Sequence, residues 1–143
     1  MESHVKTARI TGWISVAPLL GLPLIAWLGA PGWLSHLLTG WGAMLLAFWA
    51  GSLWVRHLDG QPQRTWMLVA SLALVLAAWP AVLLPFHLAM FWLTALHGVH
   101  LFIDEPWRSQ GRSGWYRRLR LVLAVLAIAL LAVSGMIGLT YAG

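Results

Sequence analysis

Five long apolar runs, separated by short polar stretches, are the feature that most limits what this chain can fold into. A helix needs about 20 predominantly apolar residues to cross the hydrocarbon core of a bilayer, and each run has or nearly has that length. The runs cover residues 10–28, 33–56, 65–84, 86–104 and 115–140. This pattern predicts an all-α integral membrane bundle of five transmembrane helices, forming one domain over residues 1–143.

Prolines mark the weakest points of this pattern. Pro18 and Pro23 lie inside the first run, and each removes a backbone N–H donor, so we expect the first helix to be kinked. Pro80 and Pro85 separate the third and fourth runs, which can also be read as one long broken run. That run would be about twice the length of one bilayer crossing. The length favours two helices joined by a tight hairpin and leaves open how fully they separate.

The amino-acid composition excludes an ordinary soluble domain. Hydrophobic residues make up 60% of the chain and charged residues 9%, whereas soluble domains carry about 25% charged residues. A chain of 143 residues could not hide this apolar surface in a core, because small domains bury only about 60–70% of their surface. The chain has no cysteine, which excludes disulfides, thiolate metal sites and cysteine nucleophiles.

The basic residues indicate the orientation of the bundle. In a five-helix arrangement all nine Lys and Arg residues fall on one side, namely Lys6, Arg9, Arg56, Arg64, Arg108, Arg112, Arg117, Arg118 and Arg120. The positive-inside rule then predicts an N-terminus on the cytoplasmic (or matrix) side and a C-terminus on the outside. No basic-aromatic module of the kind that reads nucleic acid accompanies these charges. We expect Arg117 and Arg118 to contact the headgroups of anionic lipids instead.

The fourth helix carries the candidate ligands of the chain. His97, His100 and Asp104 recur at positions i, i+3 and i+7, so they share one helix face. Two imidazoles and a carboxylate could bind a divalent metal. His57 and His100 on the inner side, or His36 and His87 on the outer side, could instead ligate a b-type haem between the second and fourth helices. The alternative is that no cofactor binds and the histidines hydrogen-bond to neighbouring helices or lie in interfacial water.

Arg120 is the candidate partner of Asp104. The link between the fourth and fifth helices is short, so the two side chains can approach each other at the inner interface. The competing interpretation is that Arg120 extends to a lipid phosphate while Asp104 is solvated. The sequence contains no nucleophile elbow, phosphate-binding loop or metalloprotease motif, so we expect no catalytic residues and no enzymatic activity.

Two stretches, GAMLLAFWAGSLW at 42–54 and GWYRRLRLVLAVLA at 114–127, resemble the two hallmark segments of a membrane family catalogued as domain of unknown function 3429. The matching motif residues are Leu46, Phe48, Gly51, Trp54, Trp115, Tyr116, Leu119 and Arg120, with Gly12, Pro18 and Asp104 elsewhere in the chain. Ala50 and Val55 stand where the family typically has glycines. The resemblance implies a small helical bundle in a bacterial or mitochondrial inner membrane, with no established activity.

Taken with the residues, this resemblance favours a non-enzymatic accessory or assembly protein of an inner-membrane complex. Its expected partners are the lipid bilayer, with anionic lipids at the inner face, and a second inner-membrane protein. The alternative hypothesis is a haem- or metal-binding membrane redox protein that uses the histidines of the fourth helix.

Overall fold

The computed structural model of the chain describes residues 2–29, 32–58, 65–108 and 114–141, without the side chains of 2–4, 54–58 and 105–108. Helices account for nearly all of the described residues. They are α1 (Glu2–Val16), α2 (Leu22–Leu28), α3 (Gly32–Leu58), α4 (Thr65–Ala78), α5 (Phe86–Arg108) and α6 (Gly114–Thr140). The predicted all-α class is confirmed.

The two prolines of the first run have different effects. Pro18 lies in a 3-10 turn, Ala17–Gly21, which ends α1 and leads directly into α2. Pro23 lies in the first turn of α2, where backbone N–H groups have no acceptor within the helix, so the missing N–H costs no helical hydrogen bond. The rod that these segments form ends at Gly29, whose φ of 61° is a left-handed conformation that favours glycine.

A second 3-10 turn, Trp79–Leu83, follows α4 and contains Pro80. It is followed by Leu84 in an extended conformation with ψ of 152°. Pro85 comes next and cannot continue a helix from the preceding turn. The polypeptide therefore leaves helical geometry between α4 and α5, which are two separate helices.

In each of the two 3-10 turns described above, a tryptophan replaces the hydrogen-bond donor that proline lacks. The N–H of residue i in such a turn bonds to the carbonyl of residue i−3, so each proline leaves one carbonyl without that donor. Three residues before Pro18, the Ser15 carbonyl accepts a hydrogen bond from Trp41 Nε1 at 2.9 Å. Three residues before Pro80, the Ala77 carbonyl accepts one from Trp92 Nε1 at 2.7 Å. Neighbouring helices commonly satisfy carbonyls freed by proline in membrane proteins.

Helix α6 packs against α5, α2 and α1, while α3 packs against α4 and α5. The α5–α6 contact is the most extensive of these, and glycine permits part of it. A Cβ added at Gly135 would lie 3.2 Å from Met90 Cβ and 3.1 Å from the Phe91 ring, and one at Gly138 would lie 3.0 Å from the Phe86 ring. Small residues let helix backbones approach closely in lipid, where packing must replace the hydrophobic driving force.

Four segments of the described chain are long and apolar enough to cross a membrane, namely Val5–Leu28, Thr65–Leu83, Phe86–Asp104 and Gly114–Thr140. Large apolar side chains also lie on the outer surface, with Leu83 88% and Phe102 81% exposed. Lipid is the environment that such a surface requires. These features indicate a multi-pass membrane protein. Helix α3 has 27 residues but is not among the four segments, and its first turns contain Ser35, His36 and Thr39.

Candidate functional site

The predicted ligand residues of α5 lie inside the bundle. His97 and His100 are each 1% exposed, and Asp104 is fully buried. They continue the helical stripe of Met90 and Leu93, which are core residues at the same i, i+3, i+7 spacing. The stripe that begins as apolar core therefore ends as a polar group buried among three helices.

Arg120 of α6 reaches this polar group. Its Nη2 atom lies 3.5 Å from Asp104 Oδ2, and the exposed fractions of the two side chains are 11% and 0%. The same nitrogen donates a hydrogen bond to Ser52 Oγ of α3 at 3.1 Å. Ser52 Oγ in turn donates to the Trp49 carbonyl at 2.6 Å. Of the two interpretations that the sequence left open for Arg120, the structure has the pair with Asp104, and it adds a connection to a third helix.

Trp49 of α3 is the aromatic centre of this group. Its ring centroid lies 5.6 Å from that of His97, in an edge-on arrangement, and 6.2 Å from that of His100. The guanidinium carbon of Arg120 lies 5.9 Å from the Trp49 ring centroid, at the outer limit of a cation–π contact. We call these six residues the polar cluster: Trp49, Ser52, His97, His100, Asp104 and Arg120.

The imidazoles are the least satisfied members of the polar cluster. His97 Nδ1 lies 2.9 Å from the Leu93 carbonyl, which can only accept, so this nitrogen is the donor. That bond leaves Nε2 of neutral His97 with a lone pair. Neither His97 Nε2 nor either ring nitrogen of His100 has a hydrogen-bond partner of good geometry among the described atoms. Buried polar atoms are normally bonded, so such nitrogens point to a ligand or a bound water.

A complete metal site is not formed by the residues that the structure describes. Within them, no three His, Asp or Glu side chains are grouped so that they could hold a metal ion. Asp104 is already paired with Arg120. The side chain of His57, the predicted second haem ligand, lies outside the described residues. Metal or haem binding therefore stays a prediction that rests on His97 and His100.

A cavity of about 490 Å³ lies beside the polar cluster, between α1, α3 and α6. Trp49 and Arg120 belong both to its lining and to the polar cluster, whereas neither histidine lines it. Most of the remaining lining is apolar, including Leu45, Phe48 and Leu123. A small molecule in this cavity would meet the indole and the guanidinium before it could meet an imidazole.

The motif residues have distinct places around the polar cluster. Leu46 is fully buried in the core, whereas Gly51 is exposed, and a Cβ added there would meet no described atom within 4 Å. Trp115 and Tyr116 stack edge to face at 5.7 Å. Leu119 packs against the core. The side chain of Trp54 lies outside the described residues.

Sequence reasoning missed two members of the polar cluster. Neither Trp49 nor Ser52 was among the candidate residues named from the sequence. The available signal was their spacing, because a hydroxyl three residues after Trp49 lies on nearly the same face of α3. Arg117 and Arg118, by contrast, are exposed on α6 and lie outside the polar cluster, which is consistent with the predicted contact with lipid headgroups.

A family model described as "Protein of unknown function (DUF3429)" matches residues 4–136. The chain belongs to this family. The match reaches each of the six α-helices in the part of the DUF3429 chain that the structure describes, and it includes every residue of the polar cluster. It confirms the resemblance found in the two hallmark stretches. No curated protein and no solved structure matches the chain.

Proposed function

We propose that this DUF3429 chain is a non-enzymatic accessory or assembly protein of a complex in the bacterial cytoplasmic membrane. One observation carries the proposal: the charged groups of the polar cluster bind one another across helices. Asp104 pairs with Arg120, and Arg120 bonds to Ser52. Polar groups used in this way act as glue between helices. The bundle that they stabilise presents large apolar faces on which a second membrane protein can pack.

The proposal includes five membrane crossings with the N-terminus inside. Helix α3 would be the fifth crossing, because its 27 residues extend about 40 Å at 1.5 Å per residue, more than the 30 Å hydrocarbon core. It also packs against α4 and α5, which are both candidate spans. The location of all nine basic residues on one side supports the orientation.

Cysteine labelling tests this topology cleanly, because the chain has no cysteine of its own. Single cysteines replacing Ser35 or Gly143 should react with an impermeant thiol reagent added outside intact cells. Cysteines replacing Gln61 or Gln110 should react only after the membrane is opened. Outside labelling of Gln61→Cys in intact cells would contradict five crossings with an inside N-terminus.

Site-specific photo-crosslinking tests the accessory role. A photoreactive amino acid is placed singly on exposed faces, at Phe48 (69% exposed), Trp79 (79%), Leu83 (88%) and Phe102 (81%). We expect one face to crosslink to a defined membrane protein and the others to lipid. Deleting the gene should also lower the amount of the assembled complex that contains that protein. Lipid adducts at all four positions, with every membrane complex at its normal level, would refute an accessory role.

The second candidate function is a haem- or metal-binding redox protein. The observation that favours it is that His97 Nε2 and the ring nitrogens of His100 have no hydrogen-bond partner of good geometry among the described atoms. Polar side chains inside a membrane bundle are commonly functional. An optical spectrum and metal analysis of protein purified in mild detergent separate the two candidates. A Soret band or stoichiometric metal that is lost in His100→Ala, but kept in the control His4→Ala, would establish the redox candidate. Protein without either would exclude it.

A further inference from the structure

We propose that the cleft between α1 and the beginning of α6 is a binding site for one anionic phospholipid. The cleft has a volume of about 560 Å³ and shares only Leu119 with the lining of the cavity beside the polar cluster. Its lining comes from α1 and α6 and consists of Arg9, Trp13, Gly114, Trp115, Arg118, Leu119 and Val122. Basic pockets between transmembrane helices on the cytoplasmic side are where acidic headgroups bind.

Three positive groups converge on this cleft. The Arg9 guanidinium carbon lies 5.8 Å from the Trp115 ring centroid, so a cation–π contact holds Arg9 near the first turn of α6. Arg118 is exposed and enters the same lining from α6. Helix α6 begins at Gly114 in this lining with no acidic residue in its first turn. The positive end of its dipole therefore adds to the two guanidinium charges.

The apolar part of the cleft lies one helical turn away from the arginines. Trp13 follows Arg9 by four residues and is 48% exposed, and Val122 follows Arg118 by four residues and is 50% exposed. Helices α1 and α6 run in the same direction here, because Arg9 contacts Trp115 while Gly12 lies beside Leu119 and Leu123. The two arginines are thus level with each other, with apolar surface next to both. This order matches a phosphodiester followed by an acyl chain.

Native mass spectrometry of the full chain in detergent tests the site. Phosphatidylglycerol is titrated against phosphatidylcholine, which has similar acyl chains but a zwitterionic headgroup. We expect a one-to-one phosphatidylglycerol adduct that survives activation energies at which phosphatidylcholine adducts dissociate. Adducts of equal abundance and equal stability for the two lipids would overturn the proposal, whatever the variants show.

Variants locate the site. Arg9→Gln and Arg118→Gln should each weaken phosphatidylglycerol binding about five-fold, and the double variant about 25-fold. Arg118→Lys should fall between wild type and Arg118→Gln, because lysine keeps the charge but loses the bidentate fork. Lys6→Gln is the control, since Lys6 is an exposed residue of α1 with the same charge that does not line the cleft. Equal losses in Lys6→Gln and Arg118→Gln would show that only the net charge of the protein matters, and would overturn a defined site.

The proposed lipid site depends on the proposed membrane orientation in one respect: the orientation places the bound lipid in the cytoplasmic leaflet. The lipid site and the accessory role can be refuted independently of each other. Loss of the phosphatidylglycerol preference with intact protein crosslinks would remove the lipid site alone, whereas a defined lipid adduct without any protein crosslink would remove the accessory role alone.

Discussion

Replacing Arg120 with methionine tests whether the buried ion pair holds α3, α5 and α6 together. Methionine keeps most of the length of the side chain but removes the charge and every donor. The variant therefore lacks the bonds that Arg120 makes to Asp104 on α5 and to Ser52 on α3. The partner change, Asp104→Leu, removes the acidic side, and the double variant replaces the pair with apolar groups.

The geometry sets the magnitude of the effect. Charges 3.5 Å apart attract by about 5 kcal/mol at an effective dielectric constant of about 20, before desolvation is subtracted. Removing one partner of a buried pair typically costs about 3–5 kcal/mol, because the other charge stays buried. Asp104 is fully buried and cannot reach water, whereas Arg120 is 11% exposed and can extend towards a lipid phosphate. We therefore expect about 3–5 kcal/mol for Arg120→Met and about 1–3 kcal/mol for Asp104→Leu.

Thermal melting of each variant in the same detergent measures these losses. Arg120→Met should lower Tm by about 10 °C or more, since 1 kcal/mol corresponds to about 3 °C for a chain of this size. The double variant should lose about 1 kcal/mol or less, because a buried pair can be exchanged for apolar groups at little cost. Each single variant would then be less stable than the double variant.

Arg117 provides a control for the loss of one arginine from α6. Arg117→Met removes an equal charge three residues earlier on α6, from an exposed side chain, and should change stability by no more than about 0.5 kcal/mol. If the losses of the two single variants simply add in the double variant, the side chains are not coupled. Arg120 would then serve mainly as a lipid anchor, and the argument from the ion pair fails.

Two further predictions concern hydrogen bonds between helices. Ser71 and Ser134 are both buried, but Ser71 Oγ donates to the Ala50 carbonyl on another helix, whereas Ser134 Oγ bonds within α6. Ser71→Ala should therefore lose about 0.6–1.7 kcal/mol in thermal melts, and an equal loss in Ser134→Ala would count against this reasoning. Trp92→Phe should lose about 1 kcal/mol because it deprives the carbonyl before Pro80 of its donor. Introducing Pro80→Ala as well should make that loss smaller in a double-mutant cycle, and an undiminished loss would show that Trp92 does not compensate for the proline.

The apolar runs predict where helices lie more reliably than where they end. Helices α3 and α6 begin at Gly32 and Gly114, one residue from the predicted positions. Helix α1, in contrast, begins at Glu2 instead of residue 10, and α5 continues to Arg108 instead of ending at residue 104. An apolar run measures the thickness of the hydrocarbon core. Backbone hydrogen bonding can continue beyond it through polar residues, so hydropathy does not mark helix ends.

The sequence predicts which residues of the polar cluster share a face of one helix, but it does not predict which residues of other helices lie beside them. The i, i+3, i+7 spacing placed His97, His100 and Asp104 on one face, because that depends only on helical geometry. The bond from Arg120 to Ser52 joins residues 68 positions apart and depends on how α3 is rotated in the bundle. No local pattern contains that rotation. The same limit explains why the sequence could suggest Arg120 as a partner for Asp104 without revealing Trp49 beside them.

The contact between α5 and α6 is built differently at its two ends. Near Gly135 and Gly138 the aromatic rings of α5 approach positions where even a Cβ would be crowded, so this end is held by close packing. Near Arg120 the helices are joined through long polar side chains, whose partners can be exchanged at lower cost than packed backbone contacts. The residues of α6 that line the cavity beside Trp49 and the cleft beside Arg9 all belong to this second end, between Gly114 and Leu123. A ligand or partner protein that alters the bundle would therefore act at the Arg120 end, by competing for the polar cluster rather than by separating the glycine-packed surfaces.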